Sequence, residues 1–155
     1  PERIKGLKCI SKNRNRFQNA RSDFSNSRSN ILSAAQIHTI AIVDDDQGIR
    51  EALDDLVKSC GYESRLFASA EEYLAYEAQS DIDCMLVDVK MPGLSGIELQ
   101  AELNKQTAHP PMIFMTSFED DRTRNAAMEG GAFAFLGKPV DVTKLLDHLE
   151  HALRS

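Results

Sequence analysis

Four short apolar runs, separated by amphipathic stretches, constrain the fold of this chain more than any other feature of its sequence. The runs span residues 40–43, 84–87, 112–115 and 133–136, and a weaker one spans 62–67. Each of the four is apolar throughout rather than at alternate positions, which is typical of strands that are covered on both faces. The runs therefore predict five strands of a parallel sheet packed between helices.

The segments between these runs carry the signals of helices. Apolar residues recur at helical spacing from Ile49 to position 60, and Gly61 follows where a left-handed helix end favours glycine. Ser-x-x-Glu capping boxes at Ser69 and Ser95 predict two further starts, and the last two helices are expected from about residue 119 to 129 and from Asp141 onward. Because strands and helices alternate and crossovers are right-handed, we expect an α/β fold, a doubly wound five-stranded parallel sheet flanked by five helices.

The charge distribution divides the chain into two parts. Residues 1–38 contain eight Lys and Arg against two Asp and Glu, whereas residues 39–155 contain ten against 22. We interpret residues 1–37, which are rich in Asn and Ser, as a basic polar N-terminal arm that is flexible or not native to the protein. Residues 38–155 form the folded domain. An arm of this kind can bind nucleic acid, but we assign no nucleic-acid contact to the folded domain itself.

Two further features of the sequence bear on where in the cell the protein is located. No apolar run approaches the roughly 18 residues of a membrane-spanning helix, so we expect no membrane contact. Cys9, Cys60 and Cys84 are too widely spaced for a disulfide framework or a CxxC metal site, and their odd number favours a reducing compartment. We therefore predict a cytoplasmic protein.

Charged and hydroxyl side chains follow the predicted strands at the point where each strand ends. In a parallel sheet these positions meet at one edge, where open α/β sheets bind ligands. The residues are Asp44, Asp45 and Asp46 after the first strand, Asp88 after the third, Thr116 after the fourth and Lys138 after the fifth. Crowded carboxylates repel one another unless a cation lies between them, and Mg²⁺ prefers oxygen ligands. The sequence thus predicts a magnesium site at this edge.

A metal beside a lysine and a threonine also suits a phosphoryl group. Its oxygens can be shared among Mg²⁺, the Lys138 ammonium and the Thr116 hydroxyl. One aspartate can itself be the nucleophile, and Asp88 is the candidate because it stands alone on the central strand. The cluster at residues 44–46 is better placed to hold metal.

Four segments at these strand ends together point to a family. They are IAIVDDDQGIREAL, LVDVKMPGLSGIEL, FMTSF and FLGKPVD, and in this order and spacing they closely resemble the receiver domain of bacterial two-component response regulators. The resemblance covers residues 38 to 153. The FASAEEYL and MTSFEDD stretches are most similar to receivers of the nitrogen-fixation regulator type. The resemblance implies a flavodoxin-like sheet in the strand order 2-1-3-4-5.

The resemblance implies a role for the acidic residues. Asp88 matches the phosphoacceptor, which takes a phosphoryl group from the phosphohistidine of a sensor histidine kinase or phosphotransfer protein in a Mg²⁺-dependent reaction. Asp45 matches a direct metal ligand and Asp44 a ligand that acts mainly through water. Asp88 itself and the backbone carbonyl of Lys90 match the remaining protein ligands of the metal.

The resemblance also implies a switch that responds to the phosphoryl group. Lys138 matches the lysine that contacts the phosphoryl oxygens, through a cis peptide bond to Pro139. Thr116 matches the residue whose hydroxyl swings toward the phosphoryl group, and Phe135 matches the aromatic residue that rotates inward behind it. The surface of helix four, strand five and helix five would then change and control a partner, an output domain or a homodimer. The domain would be a signalling switch rather than an enzyme, catalysing only its own phosphoryl transfer and dephosphorylation.

Two other functions stay open on the sequence alone. Asp44-x-Asp46 also matches the DxD of haloacid-dehalogenase-like phosphatases, in which Asp44 would be the nucleophile and Asp88 would have no assigned role. A receiver-like interaction module that takes no phosphate is the second alternative. Asp46, in turn, can act as nothing more than the cap of the first helix.

Overall fold

One parallel sheet of five strands forms the centre of the molecule. The computed structural model describes residues 36–117 and 120–154, so the predicted arm lies outside the described residues except for its last two positions. The strands are β1 (Thr39–Val43), β2 (Glu63–Phe67), β3 (Cys84–Asp88), β4 (Met112–Thr116) and β5 (Ala134–Gly137). They lie in the order β2-β1-β3-β4-β5, and each neighbouring pair is parallel. The predicted sheet and strand order are confirmed.

Five helices connect the strands, as the alternating pattern predicts. They are α1 (Gln47–Ser59), α2 (Ala70–Ala75), α3 (Gly96–Asn104), α4 (Asp121–Glu129) and α5 (Val142–Arg154), and a short 3₁₀ turn at Gln79–Asp81 follows α2. We expected α4 to begin near residue 119. The helix begins instead at Asp121, because the side chain of Asp120 accepts the backbone N–H of Thr123 and so caps it at 2.7 Å.

The helices cover both faces of the sheet and create two hydrophobic cores. On one face α1 and α5 pack against the sheet through residues such as Val57 and Leu149, and on the other α2, α3 and α4 do so through residues such as Leu99. All five residues of β1, β3 and β4 are buried. Complete burial on both faces explains why these runs are apolar at every position. None of the described helices combines the length and the apolar composition that a membrane crossing needs.

Local signals set the helix ends next to the carboxyl edge. Gly61 has φ of 87° just after α1, as a left-handed helix end requires. Ser95 and Glu98 form the expected capping box. Ser69 caps α2 through the N–H of Glu72, but the Glu72 carboxylate accepts the N–H of Ala68 at 2.8 Å rather than that of Ser69. In this second capping box the Glu72 carboxylate therefore binds the backbone N–H one residue before the capping serine.

Candidate functional site

The strand ends bring the predicted residues to one edge of the sheet. Asp44 directly follows β1 and Lys138 directly follows β5, whereas Asp88 and Thr116 are the last residues of β3 and β4. The latter two lie inside their strands, one position earlier than the sequence suggested, because Asp88 is paired with Met115 and Thr116 with Gly137 in the sheet register.

Lys138 links the central strands at this edge. Its Nζ lies 2.9 Å from Oδ2 of Asp44 and 3.4 Å from Oδ1 of Asp88. The Lys138 side chain is 12% exposed and those of Asp44 and Asp88 are 0% and 8% exposed, so these charges interact with little screening by water. The backbone N–H of Lys138 donates to the carbonyl of Thr116 at 2.7 Å, and the Lys138–Pro139 peptide is cis.

Three carboxylates share this edge. One oxygen each from Asp44, Asp45 and Asp88 lies within 4.8 Å of the other two. Asp45 is exposed and Asp44 and Asp88 are buried, so the cluster opens to solvent on the side of Asp45. A set of carboxylate oxygens at this spacing suits a hard divalent cation such as Mg²⁺. The donor set therefore fits the metal that the sequence predicts.

The protonation of the edge reflects burial and mutual repulsion. Burial, followed by the charge of Asp44, raises the pKa of Asp88 to about 6, although Lys138 and the backbone N–H of Lys90 favour its charged form. Burial disfavours the charged form of Lys138. The hydrogen bonds and charges of Asp44 and Asp88 outweigh that effect and raise the pKa of the ammonium. The carboxylates thus carry excess negative charge that one lysine does not neutralise, which favours binding of a cation.

Both carboxylate oxygens of Asp44 accept hydrogen bonds, which does not favour a role for Asp44 as a nucleophile. Its Oδ1 accepts the N–H of Asp46 at 2.8 Å and its Oδ2 accepts from Lys138. Asp46 caps α1 by accepting the N–H of Ile49 at 3.1 Å, as the simpler interpretation of that residue expects. Both aspartates of the DxD match are therefore engaged in local structure, so the geometry does not support the phosphatase alternative.

Two residues near the carboxylates were missed by sequence reasoning. Arg50 donates from Nη1 to the carbonyl of Asp44 at 2.6 Å. A cation in the first turn of a helix opposes the helix dipole, and this mismatch is a signal that could have drawn attention to Arg50. Gly96 is the second, since a Cβ there would lie 2.5 Å from the carbonyl oxygen of Asp88. No spacing rule marks that close approach.

The remaining predicted residues lie around the cluster. Lys90 is exposed, and its backbone N–H donates to the Asp88 carboxylate. Thr116 is 1% exposed. Phe135 is half-buried and pairs with Phe114 in the sheet register, on the face covered by α4. Thr116 pairs with Gly137, so Thr116 and Phe135 lie on the same face of adjacent strands, two register positions apart.

An apolar groove of about 730 Å³ opens beside Lys138. It lies between α1 and the segment joining β5 to α5, and it is lined by Ile49, Leu56, Pro139 and Val140 among others, with Glu51 and Asp55 also contributing. Lys138 therefore lines a surface that is large enough to receive side chains of another molecule.

A doubly wound sheet with a lysine and three aspartates at its carboxyl edge defines the class of flavodoxin-like signalling domains. Residues 40–150 match the Response regulator receiver domain family. The chain belongs to this family and contains a response regulator receiver domain, a signalling switch of phosphorelay systems.

The similarity extends to named relatives and to solved structures. Nodulation protein W of Bradyrhizobium diazoefficiens is 40% identical over 108 residues, which are 70% of this chain and 48% of that protein. The transcriptional regulatory protein FixJ of Azorhizobium caulinodans is 40% identical over 102 residues, 66% of this chain and 48% of FixJ. The crystal structure of FixJ-N matches with a TM-score of 0.69 and 30% identity over 77% of this chain and 95% of that one. The chain spans about half the length of the curated relatives it matches.

Proposed function

We propose that Asp88 accepts a phosphoryl group from the phosphohistidine of a sensor histidine kinase or phosphotransfer protein, in a reaction that requires Mg²⁺. The observation that carries this proposal is the position of the Lys138 ammonium, within 3.4 Å of Asp88 and 2.9 Å of Asp44. A cation at this place can meet phosphoryl oxygens that arrive over Asp88. The groove beside Lys138 provides a surface on which the donor protein can dock.

The three aspartates would hold the metal, and Asp88 would in addition attack phosphorus. Asp45 would bind Mg²⁺ directly and Asp44 mainly through water, and Asp88 and the backbone carbonyl of Lys90 would complete the protein ligands. The exposed position of Asp45 and the buried position of Asp44 support this division. When bound, Mg²⁺ supplies positive charge that neutralises the carboxylates and the incoming phosphoryl oxygens.

The transfer itself is a displacement at phosphorus. A carboxylate oxygen of Asp88 forms the new O–P bond as the P–N bond of the phosphohistidine breaks, and the departing imidazole keeps the electron pair of that bond and takes a proton from water. Lys138 donates hydrogen bonds to the transferred group. Water later hydrolyses the acyl phosphate and restores the Asp88 carboxylate. These are the only reactions that the domain catalyses.

The switch follows from the phosphoryl group at Asp88. The hydroxyl of Thr116 turns toward the phosphoryl oxygens, and Phe135 rotates into the space behind it. The surface formed by α4, β5 and α5 then changes its shape. The changed surface controls an output domain or the formation of a homodimer. Because matched relatives carry the description transcriptional regulatory protein, we propose that this receiver controls such an output, in the cytoplasm. Residues 1–37 are proposed to be an arm outside the receiver, which spans residues 38–155.

Phosphorylation with a small phosphodonor tests the proposal. Protein incubated with acetyl phosphate and Mg²⁺ is expected to carry one acyl phosphate that maps to Asp88, and Asp88→Asn is expected to carry none. Turnover of a phosphate ester that requires Asp44 would support the phosphatase instead. If the protein takes no label and binds no beryllofluoride in the presence of Mg²⁺, it is an interaction module and the proposal is wrong.

A further inference from the structure

Glu71 of α2 reaches across to the loop that follows Asp88. Its Oε2 accepts a hydrogen bond from the backbone N–H of Leu94 at 3.2 Å, a contact between residues 23 positions apart. Gly93, next to Leu94, has φ of 77°, and a Cβ there would collide with the Glu71 carboxylate. The carboxylate thus occupies the space that a side chain at position 93 would take.

The contacted loop is fixed at both ends by backbone hydrogen bonds. The N–H of Val89 donates to the carbonyl of Met115 at 3.0 Å, and the N–H of Gly96 donates to the carbonyl of Val89 at 2.8 Å. The apex of the loop, residues 92–94, extends beyond these bonds toward α2, where Glu71 holds it. The positive φ at position 93 favours glycine, and the absence of a side chain there leaves room for the Glu71 carboxylate.

Lys90 lies between the fixed start of this loop and its apex. Its backbone N–H donates to the Asp88 carboxylate, and its carbonyl belongs to the proposed metal ligands. Only Met91 and Pro92 separate Lys90 from Gly93, and the proline ring fixes one of the few dihedral angles between them, so a shift of the apex also turns the peptide group that carries the Lys90 carbonyl. The direction of the Lys90 carbonyl therefore depends on how firmly the apex is held.

We infer that Glu71 is a positioning residue for the metal site, and that its bond to Leu94 aims the Lys90 carbonyl at Mg²⁺. This inference rests on the proposed function. Glu71 is exposed and acts on the metal only through the loop. Its contribution comes from the hydrogen-bond acceptor rather than from its negative charge, so glutamine at this position retains the function.

Calorimetric titration of the protein with Mg²⁺ alone tests the inference. Glu71→Ala is expected to raise the Mg²⁺ dissociation constant roughly three- to fivefold, which is the size expected for one partly exposed hydrogen bond, and Glu71→Gln to stay within about twofold of the parent. Glu72→Ala is the matched control, because Glu72 lies in the same turn, carries the same charge and accepts a backbone N–H, that of Ala68. It is expected to leave Mg²⁺ binding unchanged.

A second measurement separates the inference from the proposed function. In the metal-free protein, Glu71→Ala is expected to accelerate amide hydrogen exchange at residues 90–94 relative to Glu72→Ala. If the Mg²⁺ dissociation constant is unchanged in Glu71→Ala, or if Glu71→Gln loses as much affinity as Glu71→Ala, the positioning role is wrong. If the parent binds no Mg²⁺, the proposed function fails, and the exchange rates alone then decide whether Glu71 holds the loop.

Discussion

The guanidinium of Arg124 lies over the ring of Phe135, with Cζ 5.6 Å from the ring centroid. Arg124 belongs to α4 and Phe135 to β5, so this cation–π contact joins two elements of the proposed switch surface. Phe135 is half-buried in this arrangement. The contact stabilises the half-buried position of the ring, and the proposed rotation of Phe135 behind Thr116 would take the ring away from the guanidinium.

Loss of this contact should favour the active conformation. A cation–π contact at a partly exposed site contributes about 0.5–1 kcal/mol, so Arg124→Ala should shift the population of the inward ring roughly two- to fivefold. Beryllofluoride, which mimics the phosphoryl group, should then bind with a dissociation constant lower by the same factor. Arg122→Ala removes an exposed cation from the same helix and serves as the control. Equal affinities in the parent and Arg124→Ala would contradict the prediction.

Tyr73 carries a buried hydroxyl that has no hydrogen-bond partner within the described ranges 36–117 and 120–154. The whole side chain is fully buried. Burial, with a smaller effect of Tyr76, raises the pKa of Tyr73 to about 12. The ring itself packs well, edge-on to Phe67 with centroids 5.2 Å apart.

Tyr73→Phe should therefore stabilise the protein. It removes the unpaired hydroxyl and keeps the aromatic contact, so the free energy of unfolding in urea should rise by about 1 kcal/mol. Tyr73→Leu also removes the hydroxyl but loses the ring contact, and it should be less stable than Tyr73→Phe. A fall in stability for Tyr73→Phe would show that the hydroxyl has a partner after all.

The sequence predicted the features that depend on local pattern. Continuous apolar runs predicted the buried strands. The polar residues at the ends of these runs predicted the edge of the sheet where Asp44, Asp88 and Lys138 meet. These predictions succeeded because a parallel sheet converts position along each strand into position in space. The strand order came from the family resemblance rather than from the periodicity.

Contacts between distant elements could not be predicted in the same way. Glu71, Gly96 and Arg124 lie near the site only through the packing of helices and loops onto the sheet, and no fixed spacing in the chain reports that packing. Glu72 illustrates the same limit at short range. Its spacing from Ser69 predicted a bond to that residue, whereas the local backbone presents the N–H of Ala68 instead.

Gly96 should tolerate no side chain, because it packs against the backbone of Asp88. A Cβ would lie 2.5 Å from the carbonyl oxygen of Asp88 and 3.1 Å from Cε1 of Phe114. Backbone cannot move aside without shifting Asp88, so Gly96→Ala should lower the free energy of unfolding by about 1–3 kcal/mol. Gly48→Ala is the matched control in the first turn of α1, where the nearest atom is a side-chain oxygen at 3.3 Å. Thermal unfolding measures the stability of both variants. An equal loss of stability in Gly96→Ala and Gly48→Ala would contradict the close-contact explanation.

The raised pKa of Asp88 makes the metal-free protein less stable at neutral pH than it would be with an uncharged residue there. Asp88 has a pKa of about 6 in the folded protein, above the value of about 4 expected in the unfolded chain. The protonated carboxyl therefore stabilises the fold fully below about pH 4, and that contribution is lost as the pH rises through 6.

Asp88→Asn should accordingly be more stable than the parent in the presence of a chelator at pH 7. A difference of about two pKa units corresponds to about 1–3 kcal/mol in the free energy of unfolding, and the advantage should fall to less than half by pH 4.5. Urea unfolding of both proteins across this pH range measures it, with the exposed Asp55→Asn as the control. Added Mg²⁺ should reduce the advantage at pH 7, because the cation stabilises the charged carboxylates of the parent only. An advantage for Asp88→Asn that does not vary with pH would mean that the substitution acts through packing, and that the charge of Asp88 does not destabilise the metal-free fold.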